Sequence, residues 1–141
     1  MSAVTDGFHP PLRHVRAGQL STDTAQSGDM QRFAAISGKT VGSEKLWMGQ
    51  THVQSGARSA DHHHGEAETA IYVLSGNPEF VFLDPESGDE TRIVAGPGDY
   101  VFVPAYTPHR EENNDSQNEA VVVLARSTQE AIVVNLPSLR S

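Results

Sequence analysis

Residues 62–68 read HHHGEAE and hold five side chains able to bind a metal ion: His62, His63, His64, Glu66 and Glu68. His62 and His64 are two apart, so on an extended chain their rings leave the same face and one ion can bridge them, with His63 turned the other way. Glu68 can return an oxygen to that ion if the intervening GEA turns tightly or bulges. A second segment, GDYVFVPAYTPHREEN at 98–113, brings His109 in after a corner bracketed by Pro104 and Pro108. The fixed φ of proline holds that imidazole in one direction, which suits a ligand arriving from a different strand. The chain has no cysteine, so a metal must be held through nitrogen and oxygen, a donor set that suits Zn, Fe, Mn, Ni or Co.

His52, in WMGQTHVQSG, shares a strand face with Gln50 and Gln54. Polar residues on one face of a barrel strand can look into a site, so His52 stands beside Glu68 as a candidate to complete the sphere. Its competing reading is a hydrogen-bonded structural histidine. Glu66 reads as solvent-facing, and His9 and His14 as uninvolved.

The elements that must position these residues are short. EKLWMGQTHV, ETAIYVL, EFVFLD, TRIVA, DYVFVPA, EAVVVLAR and EAIVVNL are β-branched and aromatic runs bounded by Gly, Pro, Asn or Asp. That is a strand-and-turn rhythm and predicts an all-β antiparallel sandwich or small barrel. RHVRAGQ and MQRFAAI are expected as two further strands, and TAQSGDMQRFAAI could hold one helical turn. Nothing sustains a helical period over three turns.

At 141 residues the chain is expected to form one domain over 1–141. Eighteen acidic against ten basic residues give a net charge of -8, a field that repels nucleic acid and anionic membrane. No run approaches the ~20 apolar residues of a membrane span and no signal peptide is visible, so the expected location is the cytoplasm.

Taken together, the two motifs resemble those of the cupin superfamily. Gly56, His62, His64, Glu68 and Gly76 follow the first cupin motif, and Gly98, Pro104, His109 and Asn113 the second. Two departures stand out. Tyr106 occupies the second motif's glycine position, and counting back from Gly76 puts Thr69, not Glu68, in the column of the liganding glutamate. Either a bulge at 68–69 restores Glu68, or the ion is bound through histidines, with His52 as the added imidazole.

The resemblance covers residues ~45–126 and implies a double-stranded β-helix, a jelly-roll barrel or β-sandwich, with one divalent metal held by His62, His64, His109 and either Glu68 or His52. It also implies a homodimer, formed through an edge strand or the loosely matched segment 1–40.

More narrowly, the chain resembles the small cupin-type aromatic polyketide cyclases of actinomycetes. That implies a zinc-favouring enzyme of antibiotic biosynthesis closing a poly-β-ketone by aldol chemistry, with Fe, Ni and Mn as alternative metals. His52, Glu68 and Tyr106 are then the expected catalytic groups, and Arg58, Tyr72, Trp47 and Phe102 the expected contacts to a small-molecule substrate. The alternatives are a metal-dependent dioxygenase of an aromatic or enediol substrate and a non-catalytic small-molecule-binding cupin.

Overall fold

A computed structural model describes residues 10–140; His9 lies outside them. Among the described residues the strands are β1 Met30–Ile36, β2 Trp47–Val53, β3 His62–His63, β4 Thr69–Ser75, β5 Glu79–Leu83, β6 Glu90–Val94, β7 Tyr100–Val103, β8 His109–Glu112, β9 Ala120–Arg126 and β10 Val134–Asn135. They form two five-stranded sheets, ordered β1-β2-β9-β4-β7 and β10-β3-β8-β5-β6. From β3 onward the chain passes repeatedly between the sheets, and every pairing is antiparallel. This is the expected all-β jelly roll, in which each strand turns one side chain in two toward the space between the sheets.

On β2 the inward set is Trp47, Gly49, Thr51 and Val53, and the outward set is Met48, Gln50 and His52. Register carries the alternation across the first sheet, where Trp47, Arg126, Thr69 and Val103 form one row on its inner face. Ile71, Val73, Phe80, Ala95, Val103 and Val122 make the main core, and each large member contributes roughly 1.5–3 kcal/mol by leaving water. Gly76 is required where β4 ends. Its φ is 81°, and a Cβ there would stand 2.7 Å from Ala120 Cα.

Three local expectations are corrected. Residues 13–19 form no strand; they are almost all exposed and end in a 3-10 turn over Ala17–Gln19, because RHVRAGQ has no apolar alternation to bury. The helical turn falls on α1 Gly38–Val41, not on TAQSGDMQRFAAI, because Ser37 and Thr40 cap each other there. Of EAIVVNL only Val134–Asn135 pairs, against β3.

Candidate metal centre

His62 and His109 face each other as cross-strand partners on β3 and β8, with ring centroids 4.5 Å apart. His64 lies just beyond the end of β3, its ring 4.8 Å from that of His62 and 5.1 Å from that of His109. Each of the three offers a ligand nitrogen within 4.8 Å of the others. His63 turns away: its Nδ1 accepts from the Gly65 N–H, and its ring lies against Tyr106.

Each imidazole is held at Nδ1 by a backbone carbonyl: His62 by Ala60 at 2.6 Å, His64 by Ile132 at 2.8 Å and His109 by Thr107 at 2.9 Å. A ring that donates from Nδ1 keeps its lone pair on Nε2, the usual arrangement around a metal ligand. The Nε2 of His109 is buried and has no hydrogen-bond partner. A buried nitrogen is seldom left so, and a divalent cation fits the lone pairs that this trio presents.

Burial pushes the His62 and His64 pKa values down, more than their carbonyl partners raise them. The neutral form, which is the ligating one, is therefore favoured. At His109 burial also pushes down, but the adjacent Glu111 carboxylate outweighs it and the net direction is up. Glu111 itself is pushed up by burial, and His109, followed by the His62 and His64 charges, brings it down to about 2. Its Oε1 lies 3.8 Å from His109 Nε2, an ion-pair distance too long for a hydrogen bond.

Glu111 is the residue that the sequence reading missed, although its spacing announces it. Two positions after His109 on a strand is the same face. Glu68, expected to reach the ion, is exposed, and its backbone is pinned to Ser127. The strand register wins: Thr69 is buried and turned inward, so the carboxylate beside the histidines comes from β8 and not from the first motif.

His52 is corrected in the same way. It lies on the outer face of β2, where its Nε2 meets Gln50 at 3.2 Å, its Nδ1 meets Glu119 at 3.3 Å and its ring packs edge-on to Phe33. The odd-numbered residues of β2 own the inner face, so the row of polar residues looks outward. Tyr72 and Phe102 are likewise on outward positions of β4 and β7. Tyr106 is exposed, with φ 60°, and does not line the cavity.

Trp47 and Arg58 do line it. The Arg58 guanidinium, however, is engaged by Glu112 at 2.8 Å. Glu112 is buried and also receives Arg92 at 2.8 Å, Arg110 at 2.6 Å and Asn114 at 3.0 Å. Burial pushes its carboxyl up, and these partners, Arg110 foremost, hold it far below the usual range.

The cavity has a volume of about 480 Å3 and lies between the sheets. His62, His64 and Glu111 stand at one wall, and Trp47, Ile71, Phe80, Val122, Leu124 and Ile132 are among its apolar lining. Asn113, fully buried, fastens the neighbouring turns through the carbonyls of Val53, Gln54 and Asn118.

Two sheets in jelly-roll order enclosing a three-histidine cluster define a cupin-type barrel. The cupin domain model matches residues 49–125, and the chain belongs to that family. No curated protein matches the sequence.

Among solved structures, the polyketide cyclase RemF from Streptomyces resistomycificus is similar at 19% identity and TM-score 0.69, over 89% of this chain and 86% of that one. A variant of the oxalate decarboxylase of Bacillus subtilis is similar at 18% and 0.66, over 81% of this chain. The match spans only 30% of that longer protein. An oxalate oxidase in complex with the substrate analogue glycolate matches at 17% and 0.65, over 82% of this chain and 59% of that one. At these identities the likeness is one of fold. Among the described residues no helix is long and apolar enough to cross a membrane.

Proposed function

We propose that this cupin is a metal-dependent enzyme in which His62, His64 and His109 hold one divalent ion, zinc being favoured, and that it closes a ring in a poly-β-ketone by aldol chemistry. The observation that carries the reading is the trio of Nδ1-tethered imidazoles, with the His109 Nε2 orphaned, at the wall of an apolar cavity. When bound, the ion supplies Lewis acidity toward a carbonyl oxygen. Glu111, whose carboxylate stands beside the three imidazoles, takes the proton from the carbon between two carbonyls at its Oε1. Trp47, Ile71, Phe80 and Leu124 exclude water and fold the chain so that the nucleophilic carbon faces its target. The resemblance to RemF, named as a polyketide cyclase, supports this choice of substrate class. A homodimer belongs to the same reading and is supported by Tyr100 and Phe102, exposed on the edge strand β7.

A second reading is favoured by the 3.8 Å approach of Glu111 to His109. Three imidazoles and a carboxylate form a set suited to iron, nickel or manganese, and to dioxygen cleavage of an aromatic or enediol substrate. Metal analysis of the purified protein, followed by turnover assays with oxygen monitoring, separates the two. Zinc with ring closure and no oxygen uptake is the expected result. Iron with oxygen consumption on a phenol or enediol would overturn the cyclase, and small-molecule binding with neither metal nor turnover would overturn both in favour of a binding module.

A further inference from the structure

The cavity wall formed by the first sheet carries two guanidiniums, Arg32 and Arg126. Neither meets a carboxylate among the described residues, where Arg58, Arg92 and Arg110 all do. Arg126 donates from Nε to Thr128 O at 3.0 Å and from Nη2 to Gln129 O at 2.8 Å, and stacks 4.2 Å over the ring of Trp47. The partners of Arg32 are also neutral: Ser27 Oγ at 3.2 Å and Met30 Sδ at 4.0 Å. Burial, and to a smaller degree the charge of Arg32, push the Arg126 pKa down to about 10.

Two like charges turned into one largely apolar cavity oppose each other unless an anion joins them. Asp29, Glu111 and Glu112 also line the cavity, yet among the described residues no carboxylate lies within ion-pair distance of either guanidinium. A second feature lies beside them. Thr51 is the cross-strand partner of Arg32, is buried, lines the cavity, and has a hydroxyl with no hydrogen-bond partner. Arg126 Nη1, Arg32 Nε and the Thr51 hydroxyl are thus left without a partner among the described residues, on three side chains that line one space.

The geometry points to a carboxylate subsite on this wall. On the reading of the metal centre given above, the substrate is then an organic acid, anchored by its carboxylate at Arg32 and Arg126 while the part that reacts lies at the histidines. The planar guanidinium fork matches a carboxylate, and the apolar lining takes the carbon chain between the two ends. The net charge of -8 disfavours a multiply charged group such as a phosphate monoester.

Trp47 is the only tryptophan of the chain and stacks on Arg126, so its fluorescence reports on the subsite directly. The metal-loaded and the metal-depleted protein are each titrated with octanoate, octanamide and octyl phosphate, with calorimetry alongside. The expected result is saturable binding of octanoate in both forms, with octanamide about ten-fold weaker or worse. Arg32→Gln and Arg126→Gln should each weaken octanoate by about ten-fold and leave octanamide unchanged. Arg126→Lys, which keeps the charge, should lose less than Arg126→Gln and guards against a folding defect from the lost carbonyl contacts. Thr51→Val should cost a smaller factor.

Equal binding of octanoate and octanamide would overturn the subsite, as would octyl phosphate binding more tightly than octanoate. So would octanoate binding that vanishes on metal removal yet survives Arg126→Gln, because the carboxylate would then be on the ion. None of these readouts requires turnover, so a failed cyclase assay leaves the result for the subsite intact.

Discussion

Glu111 Oε1 stands 3.8 Å from His109 Nε2, two residues away on the same face of β8. The pair links the ligand trio to a carboxylate held at about 2. Replacing Glu111 by Gln keeps the shape and removes the charge. The expected result is near-normal metal content with kcat lowered roughly 10²–10⁴-fold, the range for loss of a general base. Loss of the metal itself in Glu111→Gln would make Glu111 a ligand instead.

The same pair sets a pH dependence in the metal-free protein. Glu111 is lowered from 4.5 to about 2, so its stabilisation is present above 4.5 and lost as pH falls through that interval. His109 is raised above 6.5, so its share is present below 6.5 and lost as pH rises through the folded value. Both groups are charged between those limits. Glu111→Gln should therefore destabilise the metal-free fold by about 1–3 kcal/mol near pH 5.5 and by less at pH 8, measured by urea unfolding.

His62→Ala, His64→Ala and His109→Ala should each strip most of the metal, as read by elemental analysis after dialysis. His63→Ala and His52→Ala should retain it, since the His63 ring lies against Tyr106 and the His52 ring lies outside the first sheet. Metal loss in His52→Ala equal to that in His64→Ala would contradict the placement of β2.

Most of the strands could be read from the sequence because β-branched and aromatic runs alternate cleanly between Gly, Pro and Asn. That His62 and His64 share a face was legible from their spacing, and it took the second motif, with His109, to mark them as a candidate site. What stayed hidden depended on which face a strand buries. In WMGQTHV, Trp47 and Val53 are apolar at odd positions and Gln50 and His52 polar at even ones, while Met48 and Thr51 break the alternation; the structure buries the odd set and so turns His52 outward. At 68–69 the first motif and the strand register disagree by one residue, and one step on a strand reverses the face. The register prevailed, because Thr69 starts the row that packs beside Arg126 and Val103. Arg126 and Arg32 gave no local signal at all, since only the pairing of distant strands brings them to one wall.

Glu112 holds three arginines from β6, β8 and the segment before β3. Glu112→Gln should destabilise the fold by about 3 kcal/mol, at the low end for a broken buried pair because Arg58 and Arg92 are partly exposed. Its carboxyl lies far below 4.5, so the stabilisation is present above that pH and fades only as strong acid is approached. Thermal unfolding at neutral pH checks the first statement, and an acid titration checks the second.

Tyr106 adopts φ 60° where its ring is exposed and its N–H donates to Gly65 O at 2.8 Å. A bulky residue in the left-handed region costs about 1–2 kcal/mol. Tyr106→Gly relieves that strain against some added chain entropy in the unfolded state, and should raise stability by about 0.5–1 kcal/mol. A lower Tm would show that the contact with His63 outweighs the strain.

The ring of His64 is tethered by the carbonyl of Ile132, sixty-eight residues away, in the stretch just before β10 pairs with β3. The last turns of the chain therefore act as a latch on the ligand trio. With β10 seated, the third imidazole is aimed by the protein itself, without help from any ion. Fraying of this two-residue strand would free the His64 ring from its tether to Ile132.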